Sequence, residues 1–213
     1  MKNNIYINKD SNPSESTMNR LVEALAQAYV GESQARMRYT EYAKIAGKEG
    51  YEQIKEIFLE TANHEKTHGK NFFRMIQKVM EKIGEKTEML EIQNVAVPVV
   101  RGSVVENLKA SIAGEHHETS EMYPEIAKIA KEEGFADLSV QILGIAKAEE
   151  HHEKRYQAIL DALESASMFK SEGKVWWLCM ECGYWHYAEH PPKMCPSCDH
   201  PMAFFKKMDS SFM

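Results

Sequence analysis

Residues 58–75 read FLETANHEKTHGKNFFRM and residues 142–159 read ILGIAKAEEHHEKRYQAI. The second stretch is the first displaced by 84 positions, and each carries Glu-x-x-His, as Glu65/His68 and Glu149/His152. Around the first pair the seam runs Ile54, Phe58, Thr61, Glu65, His68, Phe72, Met75, Val79, in steps of four and three. Around the second it runs Leu138, Ile142, Ile145, Glu149, His152, Tyr156, Ile159, Leu163. Such a stripe belongs to an amphipathic helix buried along one face. A carboxylate and an imidazole three residues apart project from that face, so each helix offers one metal ion two ligands.

Two further helices are predicted. The first carries Leu21, Leu25, Ala28, Glu32, Ala35, Tyr39, Tyr42 and Ala46 on one stripe. The third, over Ser103–Glu132, carries Val104, Leu108, Glu115, Tyr123, Ile126 and Ala130 less regularly. One Glu from each of two helices plus Glu-x-x-His from each of the other two is the ligand set of a dinuclear carboxylate site inside a four-helix bundle. Burying four carboxylates together is prohibitive unless cations neutralise them. Carboxylates bridge two metals, which makes Glu65 and Glu149 the natural bridges and Glu32 and Glu115 terminal ligands. The mixed oxygen and nitrogen set suits iron or manganese, and Zn also satisfies the ligand types. Tyr39 and Tyr123, two turns beyond the terminal glutamates, are candidates to hydrogen-bond the ligands or to donate protons and electrons; aromatic core packing is the competing reading.

The repeat has one defect. Ala43–Ala46 matches Ala127–Ala130, Gly50 matches Gly134, and Tyr39 matches Tyr123, all at 84, yet Gly31-Glu32 matches Gly114-Glu115 at 83. One extra residue therefore lies between Glu115 and Tyr123. Inside a helix whose two ends must stay in register, an insertion is most easily absorbed as a π-bulge, a feature common at functional sites. The segment contains Glu118, which has no glutamate counterpart in the first half, so Glu118 is expected to turn into the metal cavity as an added, asymmetric ligand. The competing reading leaves it a solvated acid.

Short turns at Gly47–Gly50 and Glu133–Gly134 give two antiparallel hairpins. The stretch Ile83–Gly102, with its β-branched run Val95–Val100, is then the one long crossover of a ferritin-like bundle. The expected organisation is a polar tail over 1–16, loosely ordered or swapped onto a partner, a bundle over 17–166, a linker over 167–173 and a small metal domain over 174–213. All four cysteines fall in that last unit, as Cys179/Cys182 and Cys195/Cys198. Two Cys-x-x-Cys knuckles, their backbone N–H groups aimed at sulfur, suit one tetrahedral ion, structural Zn or redox Fe. Val175–Leu178 and Trp185–Tyr187 read as short strands around it. The remaining histidines, His64 and His151 among them, are taken as structural or solvated, since neighbours of a ligand on a helix point elsewhere.

Bulk properties add limits. The chain has 213 residues, 43% hydrophobic and 27% charged, with net charge −6. That balance places it among globular proteins and argues against a nucleic-acid partner held through phosphates. No apolar run approaches a spanning length, and Met1–Thr17 has no apolar signal core. A cytoplasmic protein with no membrane partner is expected.

These residues together resemble the rubrerythrin family, a ferritin-like di-iron domain followed by a rubredoxin-like domain. The resemblance spans about residues 18–208. It rests on Gly31-Glu32-Ser33-Gln34-Ala35, Glu65-Lys66-Thr67-His68, Gly114-Glu115 with Glu118, Ala148–Arg155, and Cys195-Pro196-Ser197-Cys198 followed by His200-Pro201. The polar N-terminal tail and His151, where an aromatic is expected, depart from the pattern. The resemblance implies a mainly α fold with a small rubredoxin-like β/loop domain, two Fe ions in a non-haem di-iron site and one Fe in the four-cysteine site, where Zn is an alternative on expression. It implies a peroxidase that reduces hydrogen peroxide to water in oxidative stress defence. It further implies that His68 and Glu118 exchange at one iron on oxidation. A reductase or small electron-transfer protein would be the donor, and a head-to-tail homodimer or larger oligomer would bring the two kinds of site together. The competing functions are iron oxidation and storage, or a Zn-ribbon interaction module on a bundle with structural metals.

Overall fold

The computed structural model describes residues 13–92 and 95–208, so the expected tail falls outside the described residues as far as residue 12. Helix α1 spans Pro13–Lys48 and α2 spans Glu52–Ile83. Pro13 opens α1, a position where its fixed φ helps and its missing N–H is no loss. α3 spans Val104–His117, a π-helical turn covers Glu118–Met122, and α4 covers Tyr123–Glu132; together they form the third bundle helix. α5, Ala136–Glu164, completes the second hairpin.

The two hairpin turns repeat one device. Gly50 (φ 85°) and Gly134 (φ 80°) sit in the left-handed region, which a side chain resists. The following N–H then reaches back into the helix, Tyr51 N to Ala46 O at 2.9 Å and Phe135 N to Ala130 O at 2.8 Å. These bonds close each helix end. At the start of α3, Ser103 and Glu106 form a reciprocal capping box. The long connection before it has neither helix nor strand among its described residues, and its Val100 carbonyl accepts the Tyr42 hydroxyl at 2.7 Å.

Apolar side chains gather in two clusters. One joins Leu21–Ala28, Phe72–Val79, Tyr123–Ala130 and Leu138–Ala146; the other joins Ala35–Ala46, Ile54–Ala62, Val104, Leu108 and Tyr156–Leu160. A belt of buried polar side chains separates them: Glu32, Glu65, His68, Glu115, Glu149 and His152. On one side of the belt Tyr39, Tyr42, Phe58 and Tyr156 pack with ring centres 5.1–6.2 Å apart. Such pairs contribute about 0.5–1.5 kcal/mol each beyond area burial.

The C-terminal unit is a three-stranded antiparallel sheet in the order β2-β1-β3, with β1 Val175–Cys179, β2 Trp185–Ala188 and β3 Phe205–Lys207. The first two strands are the predicted ones. β3 was not predicted, because Phe205-Lys206-Lys207 shows no alternation and is recruited through Cys179↔Phe205 pairing. Trp177 and Phe205 are buried against Cys179 and Cys195. Phe169 stacks on Tyr51 with ring centres 6.1 Å apart, docking the linker on the start of α2. Among the described residues no helix is long and apolar enough to cross a membrane.

Candidate metal centre

Four helices send six side chains into the belt between the apolar clusters. Ligand atoms of Glu32, Glu65, His68 and Glu149 lie within 4.8 Å of one another, as do those of Glu65, Glu115, Glu149 and His152. The two groups share Glu65 and Glu149, one from each Glu-x-x-His. His68 Nδ1 is 2.7 Å from Glu149 Oε1 and 3.0 Å from Glu65 Oε2. His152 Nδ1 is 2.8 Å from Glu149 Oε2 and 3.3 Å from Glu65 Oε1. Each imidazole thus faces both shared carboxylates.

Buried Glu65 Oε1, Glu115 Oε2, both Glu149 oxygens and His152 Nδ1 have no hydrogen-bond partner among the described residues. Orphaned buried acceptors are costly. Here they converge from separate helices, and a pair of cations meets their demand; the donor set fits a di-iron centre. Charge distribution carries the same message. Burial, then the neighbouring Glu149, Glu118 and Glu65, holds Glu32 well above the ordinary carboxylate range. Burial raises Glu115 to about 7. Burial works against charge at His68 and His152 too, yet the carboxylates overcome it and lift them to about 9 and about 12. Glu65 falls below its usual value, because both imidazoles outweigh its burial.

The two tyrosines bond reciprocally. Tyr123 OH donates to Glu32 Oε1 at 2.5 Å, and Tyr39 OH donates to Glu115 Oε1. Each phenol therefore ties one hairpin to a buried glutamate of the other.

Glu118 opens the π-helical turn, where Tyr123 N–H bonds to Glu118 O five residues back. Pro124 follows at once; it has no N–H for Ser120 O, and its ring would clash with that carbonyl in regular α geometry. The wider turn relieves both problems. Thr119 Oγ1, inside it, donates to Ala146 O of α5 at 2.8 Å. Glu118 is half-buried and stands outside both four-residue groups. A Cβ added at Gly31, beside Glu32, would lie 3.8 Å from Glu118 Oε1. Burial, then Glu115, Glu149 and Glu65, pushes its carboxyl well above the ordinary range.

Three groups at the belt were not singled out from the sequence. His64 Nδ1 lies 3.0 Å from His152 Nε2. Arg155 donates from Nη1 to Glu60 Oε2 at 2.6 Å and from Nη2 to Thr61 Oγ1 at 2.5 Å. The Tyr156 hydroxyl is buried without a partner among the described residues. Comparing the flanks of the two Glu-x-x-His copies would have flagged His64. His151, His116 and His117 lie on the solvent side.

The second site sits in the sheet domain. The four sulfurs of Cys179, Cys182, Cys195 and Cys198 lie within 4.8 Å of one another, with Cys179–Cys198 at 3.7 Å and Cys182–Cys195 at 3.6 Å. Backbone N–H groups point at sulfur, as the knuckles require. The Tyr184 N–H draws Cys182 down to about 6, whereas at Cys198 the His200 N–H is outweighed by burial and three neighbouring sulfurs, leaving it at about 12. Four sulfurs gathered this closely fit one tetrahedral ion.

The family model for rubrerythrin matches residues 23–160, and that for its rubredoxin-like domain matches residues 177–206. The chain is 43% identical to rubrerythrin of Porphyromonas gingivalis over 88% of this chain and 90% of the relative. It is 40% identical to rubrerythrin-1 of Clostridium acetobutylicum over 91% and 96%. Fully reduced, all-ferrous nigerythrin aligns with a TM-score of 0.54 and 32% identity over 96% of this chain and 91% of that one. A Desulfovibrio desulfuricans bacterioferritin shares the bundle fold, with a TM-score of 0.63 at 19% identity over 74% and 87%.

Proposed function

The chain belongs to the rubrerythrin family, a group of di-iron oxidoreductases, and from that premise we propose that it is a peroxidase reducing hydrogen peroxide to water. Glu32, Glu65, His68, Glu115, Glu149 and His152 would hold two iron ions, and the four cysteines a third. When bound, the iron pair supplies the two electrons that, with two protons, convert one peroxide into two waters.

The observation that carries the reading is Glu118: a buried-edge carboxyl beside both ligand groups but belonging to neither. A fixed two-metal bundle has no use for it. A site that gains positive charge during turnover does, because an anionic oxygen ligand suits the more highly charged state and a neutral imidazole the less charged one. His68 would give way and Glu118 enter. While outside, Glu118 has its charged form disfavoured by burial and by the neighbouring carboxylates; on entering it would give up its proton. Tyr123 and Tyr39 hold one oxygen each of Glu32 and Glu115, and Glu115 Oε2, which has no hydrogen-bond partner among the described residues, would be open to a metal. The cysteine site receives electrons from a reductase or small electron-transfer protein. A head-to-tail pairing of two chains would bring it near the bundle site.

The test is stopped-flow reoxidation of the fully reduced protein. Peroxide is expected to outpace dioxygen, and Glu118→Ala to remove that advantage while leaving two ions bound in the reduced bundle. Dioxygen reacting as fast as peroxide would replace this reading with iron oxidation and storage.

A further inference from the structure

His64 stands immediately before Glu65, half-buried at the rim of the belt. Its ring lies within 8° of parallel to that of His152, with centres 5.2 Å apart, and Nδ1 is 3.0 Å from His152 Nε2. The N···N contact takes up most of the separation between ring centres. The two imidazoles therefore lie edge to edge nearly in one plane, the geometry of a hydrogen bond between them and not of face-to-face stacking.

A neutral imidazole has one donor nitrogen and one acceptor nitrogen. His152 Nδ1 faces Glu149, Glu65 and Glu115 at 2.8, 3.3 and 3.5 Å, so it is the nitrogen aimed at the metal position. Nε2 then carries the hydrogen, and His64 Nδ1 is its acceptor. An outer partner of this kind fixes the tautomer and the ring orientation of a ligating histidine and raises its basicity.

The internal repeat shows that this partner is given to one imidazole only. The position 84 residues after His64 is Ala148, one residue before Glu149. The methyl group there can accept nothing, and among the described residues no group accepts a hydrogen bond from His68 Nε2. The copy that lacks an anchor supplies His68, which shares its ligand group with Glu32, and Glu118 acts on Glu32.

We propose that His64 is a positioning residue: it accepts the Nε2 hydrogen of His152 and keeps that imidazole on its metal, while Ala148 in the matching place leaves His68 free to depart. The inference rests on the ligand assignment proposed above. It assigns the asymmetry of the site to two features of the sequence, the inserted residue before Tyr123 and the His64/Ala148 difference.

The experiment uses the full-length protein loaded with Co(II), in which ligand imidazole N–H protons are shifted far outside the normal proton spectrum. The His152 N–H, assigned by its absence in His152→Gln, is expected as a slowly exchanging resonance, and the His68 N–H to exchange rapidly with water. His64→Leu should abolish the slow resonance and weaken one Co(II) in the bundle by about tenfold. The far-UV spectrum and the cysteine-site absorption should be unchanged. His64→Gln, whose amide oxygen accepts a hydrogen bond, should restore a slow resonance at a new position. An unchanged resonance in His64→Leu overturns the proposal. If that variant does not fold, His64→Gln decides alone, since a resonance identical to wild type also overturns it. Failure of the wild-type bundle to take up two Co(II) ions would instead overturn the ligand assignment, and is read separately by metal titration.

Discussion

Raising the pH from 5 to 8 will weaken the chelator-treated bundle and strengthen the metal-loaded one. Burial holds Glu115 at about 7 in the folded chain, against 4.5 for an ordinary glutamate. Between those values the folded state keeps a proton that the unfolded state has lost, so stability falls as pH rises. His68 and His152, lifted to about 9 and about 12, act in the same direction: their contribution is complete below 6.5 and is lost as pH climbs through the folded values. Glu65 is depressed, so its contribution is present above 4.5 and fades only below the window. At about 1.4 kcal/mol per pH decade, Glu115 alone removes about 3 kcal/mol. For a chain of this size that is a fall of roughly 6–12 °C in Tm. With metal bound, protons compete with cations for the same oxygens and nitrogens, and the slope reverses. Urea unfolding followed by far-UV circular dichroism, with and without excess chelator at pH 5 and pH 8, measures both slopes. Chelator-treated protein as stable at pH 8 as at pH 5 would refute the reasoning.

Tyr123→Phe removes the donor to a buried carboxylate oxygen of Glu32 and should cost about 1–3 kcal/mol in urea unfolding of the loaded protein. Gly134→Ala places a side chain at φ 80° and should cost about 1–2 kcal/mol in the same assay, with no change in metal content. Cys198→Ser should erase the visible absorption of the ferric cysteine site and nearly abolish turnover with an external reductant. Single-turnover oxidation of the pre-reduced bundle by peroxide should persist, as rapid-mixing absorption will show.

The helices were legible because each buries a single stripe, and a stripe at steps of three and four has only one periodic explanation. The π-helical turn was legible by arithmetic: Glu115 and Tyr123 both have anchored counterparts, so the surplus residue had to be absorbed between them. The role of Pro124 beside it went unread, because the first half has Thr40 at that place and the repeat offers no proline to compare. His64 does not stand out in the pattern because a residue next to a ligand points about 100° away around the helix. Whether that direction meets water or another helix depends on how α2 and α5 cross, which no single-helix pattern encodes. β3 exists only by pairing with β1, so its own three residues could not announce it. Glu118 is half-buried and stands beside the ligand groups, a position set by side-chain reach that the residue count alone does not give.

The crossed pair of phenol bonds also fixes how the two halves meet. Apolar surfaces tolerate sliding, since one leucine is replaced by another a turn away. Tyr39 and Tyr123 tolerate none: slipping one hairpin by a helical turn, about 5.4 Å, would strand two phenols and two carboxylates in the interior. Each stranded group would cost about 1–3 kcal/mol. The belt therefore acts on the bundle as a buried polar residue acts on a coiled coil, choosing one register among several apolar alternatives.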